Sequence, residues 1–234
     1  GNALAGTFFP THPSLAGYRS AITDQGGHLV ISLLIASGTV VLTLVVSAPC
    51  AYALAQFRFR WISWALLAIL ISQMIPGIVI ANALYTAYER IGLLDSIPGL
   101  IIANSASSIP FGILIMRSFM LGVPPSIVEA ARVDGAGLVR AFLSIEVPIS
   151  RNALITVGLF SFLFAWSDFI FALTLTTKGQ VVPVTLGIYT YLGAHIANWS
   201  AVMATAVLAS IPAIILLVVA QRYIAAGATG GAVK

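Results

Sequence analysis

The sequence predicts an all-α fold, a polytopic bundle of membrane-spanning helices, and three observations carry that expectation. Charged side chains make up 8% of the 234 residues and hydrophobic ones 59%. A soluble domain carries about 25% charged residues, and a chain with so few would leave large apolar patches in water. The apolar residues collect into five stretches, at 28–55, 61–87, 97–120, 149–176 and 199–224. Each is long enough for the roughly 20 helical residues that cross about 30 Å of hydrocarbon. The charges gather between these stretches.

Taken in order, residues 1–27 form a mixed segment ahead of the first stretch. The first stretch, 28–55, holds Cys50 directly after Pro49; with a single thiol no disulfide forms within the chain, and Cys50 reads as a packing residue. The second contains "SQMIPGIVIAN", which sets Pro76 and Gly77 in mid-span with Gln73 and Asn82 close by. In the third, "NSASSIPFG" places Asn104, Ser105, Ser107 and Ser108 before Pro110. The fourth contains "FAWSDFIFAL", with Asp168 two residues after Trp166, and Pro212 interrupts the fifth. Kinks are expected at these prolines, with the freed carbonyls partnered by neighbouring helices or water. Polar groups at such depth line a solvated path or let helices pack closely. By polarity and depth the candidate path residues are Gln73, Asn82, Tyr85, Asn104, Ser107, Trp166 and Asp168.

The basic residues set an orientation. Eight of the 11, namely Arg58, Arg60, Arg117, Arg132, Arg140, Arg151, Arg222 and Lys234, fall on one set of connections, and Arg19, Arg90 and Lys178 fall on the other. The positive-inside tendency places the first set in the cytoplasm and residues 1–27 outside. No basic segment followed by an apolar one opens the chain, so an external start implies a further helix upstream of Gly1 and six spans in the intact subunit. The net charge of +4 is small and dispersed. It is topogenic, not a nucleic-acid surface.

Several chemistries are excluded. A phosphate-cradling loop needs Gly-Lys followed by Ser or Thr; Lys178 is followed by Gly179, and Lys234 ends the chain. His12, His28 and His195 lack metal-ligand spacing, and no nucleophile–base pair shares a membrane depth. Ion coupling would normally require a buried carboxylate within a span, for which Asp168 is the sole candidate; an interfacial or helix-pairing role at that position competes.

The densest charge lies in "EAARVDGAGLVRAFLSIEVP", residues 129–148. Pro124 and Pro125 suit a helix start, and 127–133 makes two short turns with Ala130 and Ala131 keeping one face thin. Asp134-Gly135 stops that helix, because glycine adopts the left-handed conformation of a helix terminus. A second amphipathic helix is expected over 138–145, and Pro148 marks the entry to the next span. The segment 124–148 is therefore a helix–turn–helix suited to docking, longer than the ordinary connections of helical bundles.

The pattern Glu129-Ala130-Ala131, three residues, Gly135, nine residues, Ile145, one residue, Val147, Pro148 resembles the EAA motif of bacterial ABC importer permeases, with Val147 in place of the usual Leu. "AYALAQFRFR", "SQMIPG", "FLFAWSDFIFALTLT", "VPVTLGIYT" and "AQRYIAAGATGGAVK" are similar to segments of the maltose-transport-like carbohydrate permeases. Two departures stand out: Gly137 occupies a position often held by a capping Ser or Thr, and Ser167-Asp168 replaces the common Asn-Glu or Asn-Asp pair.

The resemblance implies a type I ABC importer permease fold in a bacterial cell membrane. It divides the chain into an extracytoplasmic segment 1–27, a transmembrane domain 28–224 with coupling loop 124–148, and a cytoplasmic tail 225–234. It also implies a second homologous permease, two ATPase subunits that hold ATP and Mg, an extracytoplasmic solute-binding protein and a sugar-like substrate. The chain itself would be a transport subunit without catalysis or cofactor. Glu129, Ala130, Ala131, Asp134, Gly135, Ile145 and Pro148 would then form the loop that receives motion from the ATPase. An ion-coupled transporter subunit and a non-transporting membrane scaffold remain as alternatives.

Overall fold

The structure, a computed structural model, describes the backbone of residues 14–57, 60–194 and 199–230 and the side chains of 14–57, 60–189 and 199–221. Arg58, His12, His195 and Lys234 lie outside the described residues, as does the side chain of Arg222. The elements run α1 (Ala16–Gln56), α2 (Ile62–Ser72), α3 (Gly77–Ile91), α4 (Ile97–Met120), α5 (Pro125–Val133), α6 (Leu138–Ala141), a π-helical turn (Phe142–Glu146), α7 (Val147–Ile149), α8 (Arg151–Trp166), α9 (Ile170–Leu175), α10 (Val184–Ala194) and α11 (Trp199–Gly230). No strand occurs among the described residues.

α1 is the central post, packed against α4, α8 and α11. Its buried positions include Ser32, Ala36, Thr39, Thr43, Ser47 and Ala51, small residues at three- and four-residue spacing that share one face. Neighbouring backbones come close along this stripe: a Cβ built on Gly112 of α4 would lie 2.9 Å from the Ser47 hydroxyl. With 41 residues, α1 is about 61 Å long, twice the hydrocarbon thickness. It starts at Ala16, ahead of the expected boundary at 28, and its added turns are packed. Ala21 and Gln25 are buried there, and at Gly17 an added Cβ would meet the Ser200 carbonyl at 2.8 Å.

The stretch 61–87, expected as one span, is two helices meeting at 93°. Before Pro76 the chain tightens: Gln73, Met74 and Ile75 donate to Leu70, Ile71 and Ser72, three residues back. A 3₁₀ turn thus ends α2, and Pro76, which has no N–H to continue the ladder, begins a new direction. α4 and α11 run through Pro110 and Pro212, so the interruption expected at Pro212 does not occur. α4 starts with Ser96, whose hydroxyl accepts from the Gly99 N–H at 3.1 Å.

Near the C-terminus of the fourth stretch, Ser167–Phe169 separates α8 from α9. A further bend of 78° divides Leu138–Ile149 from Arg151–Trp166. Among the described residues three helices are long and apolar enough to cross a membrane alone, and the number rises to five when each bent pair counts as one span. Helix α10 was not anticipated by hydropathy; it lies against α1, α9 and α11.

Buried apolar residues form three main groups along the bundle. One joins Tyr88, Leu100, Phe171 and Leu175 between α3, α4 and α9. A second, around Ala36, Phe162, Trp166 and Val184, seats α10 on α1 and α8. The third, around Tyr52, Met116, Met120 and Val157, lies at the end of the bundle that carries α5.

Candidate functional site

The loop 124–148 begins with Pro124 and Pro125 at the start of α5, where the first turn has no amide partner to lose. α5 ends in a Schellman arrangement: the Gly135 N–H donates to Arg132 O at 3.1 Å and the Ala136 N–H to Ala131 O at 2.9 Å. Gly135 has φ of 88°, the left-handed conformation expected from Asp134-Gly135. Glycine makes this reversal without Cβ strain.

The faces of α5 are unlike. Val128 is buried against the bundle, while Glu129 and Arg132, on the same side of the helix, border a cavity. Ile127 points away and is 41% exposed, and Val133, the last residue of the helix, is 87% exposed. Ala130, Asp134 and Pro148 are also exposed, and Ala131 and Ile145 are half-buried. A thin, partly apolar surface therefore looks out from the bundle.

The second half of the loop departs from the expected helix over 138–145. Gly137 precedes α6 without a side-chain cap, having no side chain to offer. After Ala141 the chain widens into a π turn, with the Val147 N–H bonded back to Phe142 O. Pro148 follows and cannot donate to the ladder. This geometry turns Phe142 onto Tyr52 of α1, with ring centroids 5.1 Å apart, and carries Glu146 fully into the interior.

Glu146 is a residue that sequence reasoning left out of the site. Its Oε1 accepts from Ser150 Oγ at 3.3 Å and its Oε2 from Gln56 Nε2 at 3.5 Å, so it links the loop to the end of α1 and the start of α8. Burial pushes its carboxyl above the ordinary range, and the bonds from Ser150 and Gln56 oppose that shift without reversing it. The available signal was its place in "IEVP", four residues before Ser150. Arg117 adds another tie, donating from Nε to Leu54 O at 3.1 Å, a cation at the C-terminus of α1.

The candidate path residues do not form one cluster. Asn104 and Asp168 come together: the Asn104 side chain hydrogen-bonds the Asp168 carboxylate, and its Nδ2 donates to Leu100 O at 3.0 Å. Asp168 Oδ1 and Oδ2 accept from the Phe171 and Ala172 N–H groups, each at 3.1 Å, so this carboxylate caps α9 and pins it to α4. Trp166 is buried, stacked on Phe162. Tyr85 packs against the α3–α4–α9 core, Ser107 is half-buried, and Gln73 and Asn82 are exposed. Of the neighbouring hydroxyls, Ser108 bonds back to Asn104 O at 3.1 Å within α4 itself.

Comparison with known proteins gives a consistent picture. The family described as "Binding-protein-dependent transport system inner membrane component" matches residues 47–229. The chain is 38% identical over 230 residues to the probable ABC transporter permease protein y4oR of Sinorhizobium fredii, covering 97% of this chain and 82% of the relative. It is 32% identical over 233 residues to the trehalose transport system permease protein SugB of Mycobacterium tuberculosis, covering 98% and 85%. Among solved structures, a bacterial ABC transporter that imports alginate superposes with a TM-score of 0.78 at 23% identity, over 92% of this chain and 81% of that one. The methionine transporter MetNI superposes at 0.68 and 16% identity, over 88% and 96%.

Proposed function

The chain belongs to the family of binding-protein-dependent transport system inner membrane components, and from that premise we propose that it forms, with a second homologous permease, the path by which a sugar or related polar solute enters a bacterial cell. It is a permease subunit of an ABC importer and not an enzyme; ATP hydrolysis belongs to a separate subunit. The loop 124–148 faces the cytoplasm, where two ATPase subunits bind ATP and Mg, and a solute-binding protein delivers the substrate from outside. A sugar is favoured because relatives are described as transporters of trehalose and of diacetylchitobiose.

The observation that carries the coupling role is the two-sided construction of α5. Its outer face presents Ile127 and Ala130, while its inner face is anchored through Val128. The second half of the loop is joined to α1 through Tyr52–Phe142 and Gln56–Glu146. A displacement of the loop by an ATPase is therefore carried to the ends of two spans. An ion-coupled mechanism is disfavoured, since the carboxylate of Asp168 is engaged by the first turn of α9 and by Asn104.

The test is reconstitution of the full transporter with its binding protein in liposomes. Uptake of a labelled sugar that requires internal ATP supports this function. Uptake that persists without ATP and collapses with the proton gradient overturns it.

A further inference from the structure

A cavity of 610 Å³ lies between the inner face of α5 and the adjoining ends of α1, α2 and α4, within the size range of small-ligand sites. Two arginines border it, Arg117 of α4 and Arg132 of α5. Arg117 uses its Nε on Leu54 O, which leaves its Nη donors. The Arg132 guanidinium makes no hydrogen bond or ion pair among the described residues. Forked donors of this kind match the oxygens of a phosphate. Glu129 also borders the cavity, so the three side chains carry a net single positive charge, which complements a monoanionic phosphodiester better than a dianionic phosphomonoester.

The rest of the lining points to an amphiphile. Leu54, Ile62 and Leu121 add apolar surface. α2, which begins at Ile62, has no buried residue, so apolar side chains lead away from the cavity along its whole length. Trp61 and Trp64, 74% and 65% exposed, stand at that start, the kind of residue found at the headgroup level of a membrane. The surface of α5 that carries Ile127 and Ala130 lies opposite Arg132 on the helix and is exposed, so a partner seated there leaves the cavity free.

We propose that this cavity binds the phosphodiester headgroup of an anionic phospholipid from the leaflet on the loop side, with Arg132 and Arg117 on the phosphate and the acyl chains along α2. Basic pockets between helices at that level favour such lipids. Occupancy braces α5 against α1 and α4, making the lipid a structural cofactor of the loop.

The experiment is native mass spectrometry of the purified transporter complex with phosphatidylglycerol or phosphatidylcholine of the same acyl chains. A separate arm adds inorganic phosphate to the phosphatidylglycerol sample. The wild type is expected to retain about fivefold more phosphatidylglycerol than phosphatidylcholine, the preference that one arginine near the surface confers. Arg132→Gln should bring the two to parity, Glu129→Gln should widen the gap, and Arg140→Gln, an exposed arginine elsewhere on the loop, should change nothing. Inorganic phosphate should not displace the lipid. Equal retention of both lipids by the wild type, an equal loss of preference in Arg140→Gln, or displacement by inorganic phosphate would each overturn the lipid site. None of these readouts depends on transport, so they stand apart from the uptake test.

Discussion

The indole N–H of Trp166 donates to the carbonyl of Ala209 across 3.0 Å, tying the end of α8 to the turn of α11 that precedes Pro212. Trp166→Phe keeps an aromatic ring over Phe162 and removes the bond. It should destabilise the protein by about 0.5–1.5 kcal/mol, whereas Trp166→Ala, which also empties a buried site, should cost about 3–5 kcal/mol. Thermal unfolding of the purified transporter measures both; wild-type stability in both variants would mean that neither the bond nor the ring packing matters.

At Gly135 the cost of a side chain is conformational and not steric, because a Cβ there meets nothing within 4 Å while φ is 88°. Gly135→Val should strain the turn by about 1–3 kcal/mol. Glu129→Lys sets a third cation beside Arg117 and Arg132. The bundle should still insert in both variants, with uptake reduced about fivefold or more because the ATPase binds or couples poorly. Co-purification of the ATPase, hydrolysis and uptake at matched expression check this, and wild-type values of all three in both variants would reduce the segment to a connecting loop.

Glu146 should make stability depend on pH. Its buried carboxyl lies above the ordinary range, so the folded chain binds the proton more tightly than the unfolded one. That stabilisation is fully present below the unfolded value and is lost as pH rises from there through the raised folded value. Glu146→Gln removes the ionisation and should flatten this part of the profile, raising stability relative to wild type at the alkaline end. Unfolding temperatures recorded from about pH 4 to about pH 8 test the sign, and superimposable profiles would remove Glu146 as the source.

Orientation is open to direct labelling. In a Cys50→Ala background, Arg90→Cys should react with an impermeant thiol reagent in intact cells, and Val139→Cys, at a position 71% exposed, only after permeabilisation. The reverse pattern would invert the bundle.

Helix placement was largely legible because lipid leaves the backbone no partner but itself; composition alone marks the segments that must be helical. The end of α5 was equally legible, since a Schellman turn is a contact among residues 131–136 and depends on glycine at one position. Pro76 marked a break, but the 93° angle depends on how α3 packs against α9 and α2 against α4. Whether Asp168 serves a path or an interfacial or helix-pairing role was open in the sequence; the groups that bond its carboxylate include one from α4, more than sixty residues away in the chain, a separation that only tertiary folding brings together. Gln73 and Asn82, chosen for polarity at depth, are exposed, because apolarity does not distinguish a helix face that meets lipid from one that meets protein. The same limit hid Glu146: its burial is set by the π turn before Pro148 and by Gln56 at the far end of α1. Sequence by itself determined which segments are helical and where the loop reverses, because those preferences act over a few residues. Tertiary structure decided which polar groups face one another, because that depends on which helices pack together.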